Sequence, residues 1–533
     1  ILYVSVDNFH KVDRYLGTEG TAPPLSRIGG SQWEKTKRRT QEALKEMAEE
    51  LLTLYAQRKV LPGQAFGVDT PWQQEMEASF EFEETPDQRI ATEEIKKDLE
   101  APYPMDRLLC GDVGFGKTEV AIRAAFKVVQ EGYQVAVLVP TTILAQQHYQ
   151  TFRQRLSPYP VRIEVLSRFK SLSEQKKILK DLKEGLVDII IGTHRMLSKD
   201  VTFKRLGLLI IDEEHRFGVK HKERIKQLKA NVDVLTMTAT PIPRTLHMAI
   251  LGVKDTSQLL TPPALRLPVM TEVHPFSPEL IRQAIRFELA RQGQVFLVHN
   301  WVKSIMGMKR LIERLLPDIR VGVAHGQMDE RVLETTMWEF ISGKIDVLVC
   351  TTIIEAGIDI PNANTLIVNR ADRLGMAQLY QLKGRIGRSS RQAYAYFLIP
   401  PGYTITPQAR KRLQALTEFT SLGSGIHLAM KDLEIRGAGN LLGPQQHGHI
   451  NAVGFHLYTQ LLNEAILKLK DKSLVSEDLR IEPTIEISYE ARIPTHYIEE
   501  QDLRYELYRR IAETTNLEDL ERIEEEISDR FGK

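Results

Sequence analysis

The chain has 533 residues, 42% of them hydrophobic, a formal net charge of +1 and two cysteines. That length supplies about three or four domains; apolar runs such as Val187 to Ile191 and Leu206 to Ile211 fall well short of the roughly 18 residues a membrane helix needs, and no secretory signal opens the chain, so a cytoplasmic protein with no membrane partner is expected. Cys110 and Cys350 are too few for a disulfide framework or a zinc site, and near neutrality neither requires nor excludes nucleic acid, whose contacts come from one local face.

Residues Ile1 to Tyr15 alternate like a strand, and Gly17 to Gly30 read as loop. From the N-cap candidate Ser31 to about Arg58, Leu44, Met47, Ala48, Leu51, Leu52 and Tyr55 form one apolar stripe at helical spacing. The basic run Lys35, Lys37, Arg38 and Arg39 on its other side reads as a solvated face. From about Thr85 to Leu260, β-rich runs alternate with helical stretches: Met105 to Cys110, Val135 to Pro140, Val161 to Ser167, Ile189 to Gly192, Leu208 to Asp212 and Val234 to Thr238. A second such block, from about Val269 to Pro400, holds Val295 to His299, Val321 to His325, Val347 to Thr351, Thr365 to Val368 and Ala393 to Ile399. This pattern predicts an α/β fold of two tandem lobes, each a parallel sheet covered by helices, with a ligand-binding cleft between them. Further on, Leu457, Tyr458, Leu461 and Leu462 lie at helical spacing and Ile481 to Ile487 alternates as a strand. A chain that opens on Ile1 and stops at Lys533, straight after a charged helical pattern, reads as a fragment of a longer protein.

Gly111-Asp112-Val113-Gly114-Phe115-Gly116-Lys117-Thr118 carries the chemistry of the first block. Its glycines let backbone N–H groups curl around phosphate oxygens, Lys117 reaches the β- and γ-phosphates and Thr118 ligates Mg²⁺, so the expected cofactors are ATP and Mg²⁺. The strand before the loop and the Ala- and Val-rich helix from Thr118 to Val129 after it supply the context that this motif needs. About ninety residues on, the strand Leu208 to Ile211 ends in Asp212 and Glu213, a Walker B pair in which Asp212 holds Mg²⁺ and Glu213 polarises the attacking water. Upstream, Phe82 offers a ring for stacking and Gln88 an amide that both donates to and accepts from an adenine edge. In the second block Gln381-Leu382-Lys383-Gly384-Arg385-Ile386-Gly387-Arg388 presents two arginines suited to neutralising charge on a transferring phosphoryl group.

In order along the chain, TPDQ, GDVGFGKT, VPTTILAQQH, IGTHRML, DEEH, TATPIPR, TTIIEAGIDIP and QLKGRIGR resemble the motifs of superfamily 2 helicases and translocases from about Phe80 to Pro400. The resemblance implies two RecA-like lobes, with Arg385 and Arg388 reaching the γ-phosphate across the cleft as arginine fingers and Gly357 and Asp359 joining the nucleotide site. It assigns nucleic-acid contacts or coupling to Thr141, Thr142, Gln146, Thr193, His194 and Thr240 in the first lobe and to His299, His325, Gly326 and Thr351 in the second. Such groups track a backbone without reading bases. With no base-stacking aromatic platform, double-stranded DNA is the expected track.

Beyond Pro400, Asp432-Leu433-Glu434-Ile435-Arg436-Gly437-Ala438-Gly439-Asn440-Leu441-Leu442-Gly443 and Gln445-Gln446-His447-Gly448 resemble the translocation motif shared by bacterial transcription-repair coupling factors and the fork-reversing helicase RecG. Arg436 and Gln446 are its candidates for coupling hydrolysis to movement. The helix from Ser31, where a RecG-type chain carries an OB-fold wedge, and the segment after Ile450 resemble the coupling factors. That family implies a motor that pushes or releases a stalled RNA polymerase, and a whole protein that recruits the excision-repair protein UvrA. The alternatives are a RecG-like fork remodeller and, from another class, a nucleotide-dependent scaffold that does not move. The expected organisation is a remnant of a polymerase-interaction domain (1–30), a linker helix (31–75), a nucleotide-binding lobe (76–260), a second lobe (261–405), a translocation hairpin (406–452) and a partial regulatory α+β domain (453–533).

Overall fold

The computed structural model describes residues 33–45, 62–167, 170–218, 232–239, 255–264, 266–352, 362–388, 391–402, 405–418 and 517–532, with isolated positions between them. The chain divides into two units, Ile1–Lys45 with Ala438–Lys533, and Glu46–Gly437. In the first, 33–45 is helical and buries Thr40 and Leu44. The same unit holds the helix Leu517–Phe531, whose Glu526 pairs with Arg510. The expected strands at Ile1 to Tyr15 and Ile481 to Ile487, the loop at Gly17 to Gly30 and most of the helix at Leu457 to Leu462 lie outside the described residues.

The second unit contains two parallel sheets. One holds β1 (Asp106–Gly111), β2 (Gln134–Leu138), β3 (Ile163–Leu166), β4 (Ile189–Gly192), β5 (Leu206–Asp212), β6 (Asp233–Thr238) and β7 (Asp255–Leu259), in the order β3-β4-β2-β5-β6-β1-β7. The other holds β8 (Met270–Pro275), β9 (Gln294–His299), β10 (Val321–Ala324), β11 (Val347–Cys350), β12 (Ala363–Asn369) and β13 (Tyr394–Ile399), in the order β10-β11-β9-β12-β13-β8. Strands such as Ile189–Gly192 and Val347–Cys350 are buried throughout, because helices cover both faces of a parallel sheet and leave no polar side to alternate with. The edge strands β7 and β8 have no such apolar run and escape a search for one; Asp255–Leu259 buries only Ser257 and Leu259.

The two lobes repeat one construction. Gln134, opening β2, donates to the carbonyls of Leu182 and Val187 at 2.8 and 2.9 Å; Gln294, opening β9, donates to those of Phe340 and Ile345 at 2.6 and 2.7 Å. Asp188 accepts from the Arg162 amide at 2.7 Å and Asp346 from the Arg320 amide at 2.8 Å, each fixing the turn that enters a strand. These side chains tie a helix end to its following strand in both sheets and set all the strand ends on one side, the carboxyl edge where α/β proteins bind ligands.

The helix Lys117–Gln130 buries Val120, Ala121, Ile122, Ala124, Ala125, Phe126 and Val128. Its cations Arg123 and Lys127 are buried as well and are satisfied by ion pairs: Arg123 with Glu84 and Glu119, Lys127 with Asp69 and Glu100. Phe126→Ala is expected to cost about 3–5 kcal/mol through lost transfer energy and an unfilled cavity. A chemical-denaturation midpoint equal to the parent's would show that this helix is not held by its buried face.

Candidate nucleotide site

The phosphate loop leaves the end of β1 and enters the helix Lys117–Gln130 through two left-handed glycines, Gly114 at φ +80° and Gly116 at φ +84°. Such angles strain any residue with a Cβ, and at Gly116 a Cβ would also stand 2.3 Å from Gln88 Nε2. Gly116 is the N-cap and gives the helix no side-chain cap, so the first-turn N–H groups face the loop, the arrangement that receives an anion. Lys117 Nζ donates to the carbonyls of Gly111 and Asp112 at 2.5 and 2.9 Å. Burial pulls its pKa below the usual lysine value, opposed by Glu213, Asp212 and Asp112 and assisted by Arg385. Thr118 lies in the first turn of the same helix.

Asp212 ends β5 and meets His148 Nε2 at 3.3 Å. Burial would raise its pKa, but the hydrogen bond and charge of His148, with Lys117 and Arg385, outweigh it and keep the carboxylate ionised. Glu213 follows at φ +50°, an uncommon angle for a residue with a side chain and a cost of order 1–3 kcal/mol that surrounding contacts must hold. Those contacts come from the end of β6: Thr238 Oγ1 donates to Glu213 Oε2 at 3.1 Å, and the Ala239 amide to Oε1 at 3.0 Å. Thr238 and Ala239 thus hold the carboxylate that the sequence assigns to water.

On the adenine side, Phe82 is 63% exposed, whereas Phe80 lies between the guanidinium groups of Arg123 and Arg155, 5.4 and 5.5 Å from its centroid. Gln88 is engaged at both ends of its amide: Oε1 accepts from the Thr85 amide at 3.0 Å in a capping box, and Nε2 donates to the Phe115 carbonyl at 2.9 Å. Here it positions the phosphate loop.

The second lobe reaches this site through the helix Met376–Lys383 and the turn after it. Arg385 is buried; burial and the charge of Arg388 bring its pKa down to about 9, opposed by Glu213 and, more weakly, Asp212. A phosphate entering here would offset that burial by supplying opposite charge. Arg216 Nη2 donates to Gln381 Oε1 at 3.1 Å, Arg266 donates to the Val113 carbonyl, and Tyr380 donates its hydroxyl to Asp112 Oδ2. Four of these participants, His148, Arg216, Arg266 and Tyr380, are not found by motif reading. His148 and Tyr380 sit within or beside recognised motifs, and Arg266 carries no signal at all.

The residues assigned to nucleic acid fall at strand ends on the carboxyl edges. Thr141 caps the helix Thr142–Arg155, accepting from the Leu144 amide at 3.3 Å, and Gln146 is half-buried on that helix. His194 stacks on His221 with centroids 5.4 Å apart. Thr193 is 1% exposed, and His299 is buried, with Nε2 against Ser304 Oγ at 2.7 Å and Nδ1 against Asn369 Nδ2 at 2.9 Å; burial lowers its pKa. Neither side chain faces solvent in this arrangement. Gly326 is exposed, His325 half-buried, and the Thr351 amide donates to the Ala324 carbonyl at 3.2 Å. Thr240, Gly357, Asp359, Arg436 and Gln446 lie outside the described residues.

Known families match three stretches of the chain: the DEAD/DEAH box helicase family over residues 85–249, the helicase conserved C-terminal domain over 277–390 and the TRCF domain over 487–533. Both lobes are thus RecA-like halves of a superfamily 2 helicase core. The chain is 54% identical over 531 residues to the transcription-repair-coupling factor of Bacillus subtilis and 53% identical over 533 residues to that of Staphylococcus haemolyticus. Each alignment covers all of this chain and 45% of the relative, so the chain spans about half the length of the curated relatives it matches. Among solved structures, RecG bound to a three-way DNA junction is similar at 33% identity and a TM-score of 0.67, over 82% of this chain and 56% of that one. The helicase Lhr of Mycobacterium smegmatis, bound to single-stranded DNA and AMP-PNP, shares the fold at 18% identity and a TM-score of 0.52, over 66% of this chain and 50% of that one. No helix among the described residues is long and apolar enough to cross a membrane.

Proposed function

The chain belongs to the transcription-repair-coupling-factor family over its whole length, and from that premise we propose that it is an ATP-driven motor on double-stranded DNA. In the longer protein, this motor pushes or releases a stalled RNA polymerase and couples transcription to excision repair through UvrA. One observation supports the motor reading above the rest: Lys117, Asp212 and Glu213 of the first lobe and Arg385 of the second act on one another electrostatically in a single cluster, with Glu213 and Arg385 buried. That is a site for the γ-phosphate of a nucleotide, completed only when the lobes meet.

In this reading the lobes are 76–260 and 261–405. Phe82 and Gln88 receive the base, the N–H groups of Gly111 to Thr118 the phosphates, and Gly357 and Asp359 complete the pocket. Asp212, kept ionised, and the Thr118 hydroxyl are oxygen donors of the kind Mg²⁺ takes. The ion would arrive with the nucleotide and neutralise phosphate charge. Glu213 orients the attacking water, while Arg385 and Arg388 stabilise charge as the phosphoryl group transfers. Thr141, Thr142, Gln146, Thr193, His194, Thr240, His299, His325, Gly326 and Thr351 line the DNA path. The burial of Thr193 and His299 assigns their part to shaping that path rather than to direct contact. Arg436 and Gln446 turn lobe movement into steps.

The test is ATP hydrolysis with and without duplex DNA, alongside displacement of a triplex-forming third strand. Duplex should accelerate hydrolysis, and Arg436→Ala should retain most of the hydrolysis while stopping displacement. A parent chain that displaces nothing would sink the motor in favour of a nucleotide-dependent scaffold, and reversal of naked forks would favour a RecG-like remodeller.

A further inference from the structure

The phosphate-loop residues that the glycine–lysine pattern leaves variable each meet a different part of the chain. The Phe115 carbonyl is held by Gln88, and the Val113 carbonyl by Arg266. Asp112 has the widest reach. Its main-chain carbonyl accepts from Lys117 Nζ at 2.9 Å, while its carboxylate Oδ2 accepts from the Tyr380 hydroxyl and from the Gly423 amide at 3.0 Å. The fit around the carboxylate is close: a Cβ at Gly425 would stand 2.3 Å from Asp112 Oδ1. Gly423 itself takes φ +88°, and a Cβ there would meet the Leu260 carbonyl oxygen at 2.6 Å. Lys383, one turn beyond Tyr380, places a cation near the same carboxylate; burial brings its pKa down to about 8 and Asp112 opposes the fall.

One residue therefore touches three things that must move together in a motor. Its backbone touches the lysine whose partners change when phosphate enters, because an ammonium with three N–H donors cannot serve the β- and γ-phosphates and still hold both the Gly111 and Asp112 carbonyls. Its side chain touches Tyr380 on the helix that ends just before Arg385, and the amide of Gly423. Hydrogen bonds to an ionised carboxylate are about twice as strong as neutral ones, so this clasp can carry force where a van der Waals contact would slip.

We infer that Asp112 is a relay: clasped by Tyr380 and the Gly423 amide, its carboxylate transmits the redirection of Lys117 to Gly423, and so along the chain to the residues proposed to couple hydrolysis to movement. Asp112 and Tyr380 are positioning residues in this account, which rests on the motor reading above. Reciprocity follows from linkage: if nucleotide loosens the clasp, loosening the clasp must tighten nucleotide binding.

The experiment is a double-mutant cycle of Tyr380→Phe and Asp112→Ala in this chain, read first by titration with a fluorescent ATP analogue without DNA. Tyr380→Phe, which removes only the hydroxyl, should lower the dissociation constant about fivefold, within the range of coupling between linked sites. Adding it to Asp112→Ala should then change nothing further, because the alanine has already removed the acceptor of the Tyr380 hydroxyl. Read second as ATP consumed per third strand displaced, Tyr380→Phe should be about tenfold more wasteful than the parent. Unchanged nucleotide affinity and displacement economy in Tyr380→Phe, or effects that multiply in the double variant, would overturn the relay and leave ordinary packing. If the parent displaces no strand, the motor reading fails separately, and the nucleotide titration still decides the relay.

Discussion

Lys117→Ala is expected to reduce ATP hydrolysis by about a thousandfold or more and to weaken nucleotide binding with it. Lys117 is the cation of a cluster that otherwise presents Asp112, Asp212 and Glu213 to the phosphates. Without it, a polyanion entering the site meets carboxylates with Arg385 as the remaining cation of that cluster, and both the ground state and the transition state lose their partner. The fold should not suffer. Burial sets the folded-state pKa of Lys117 below that of the unfolded chain. A cation so placed costs stability at pH values below the folded pKa, and the cost fades as pH rises through that value toward the unfolded one. At neutral pH the alanine variant should therefore unfold at or above the parent's temperature. Phosphate release, analogue titration and a thermal melt separate the two effects. Undiminished hydrolysis would remove Lys117 from the site, while a large drop in melting temperature would show that the loss of activity is a loss of structure.

Much of this fold was legible because parallel strands buried on both faces must be written as apolar runs, and Val135 to Leu138, Leu208 to Ile211 and Val347 to Cys350 are such runs. The duplication was legible as two alternating blocks, but its mechanism was not: Gln134 and Gln294 look like surface residues in sequence, and only their four carbonyl contacts make them anchors. The groups that the structure brings together carry sequence signals of their own: Lys117 behind a glycine loop, Asp212 and Glu213 at the end of an apolar strand, and Arg385 in an arginine pair after a helix. What spacing cannot convey is which group satisfies a side chain before the ligand arrives. Gln88 caps its own helix and braces the loop, and His299 spends both ring nitrogens inside its lobe. The clasp on Asp112 joins residues 268 and 311 positions apart, a distance over which no local pattern carries information.

Glu213→Gln should leave ATP bound and slow its hydrolysis by about 10²–10⁴-fold, the span for losing a positioned general base. The geometry makes this substitution unusually clean. The backbone angle of φ +50° is set by the strand end and not by the charge, and the amide oxygen of glutamine can keep the bond from the Ala239 N–H. The Thr238 hydroxyl, now a donor to Oε2, can turn to accept from the new NH₂ instead. What disappears is the negative charge that orients and polarises water. Two consequences distinguish this from Lys117→Ala: fluorescent-analogue affinity should stay within a few fold of the parent's, and the nucleotide-bound state should persist long enough to be isolated with ATP intact. Burst measurements on the isolated complex provide the check. Hydrolysis within about tenfold of the parent, at unchanged affinity, would move water activation to another group, with His148 beside Asp212 the next to be tested.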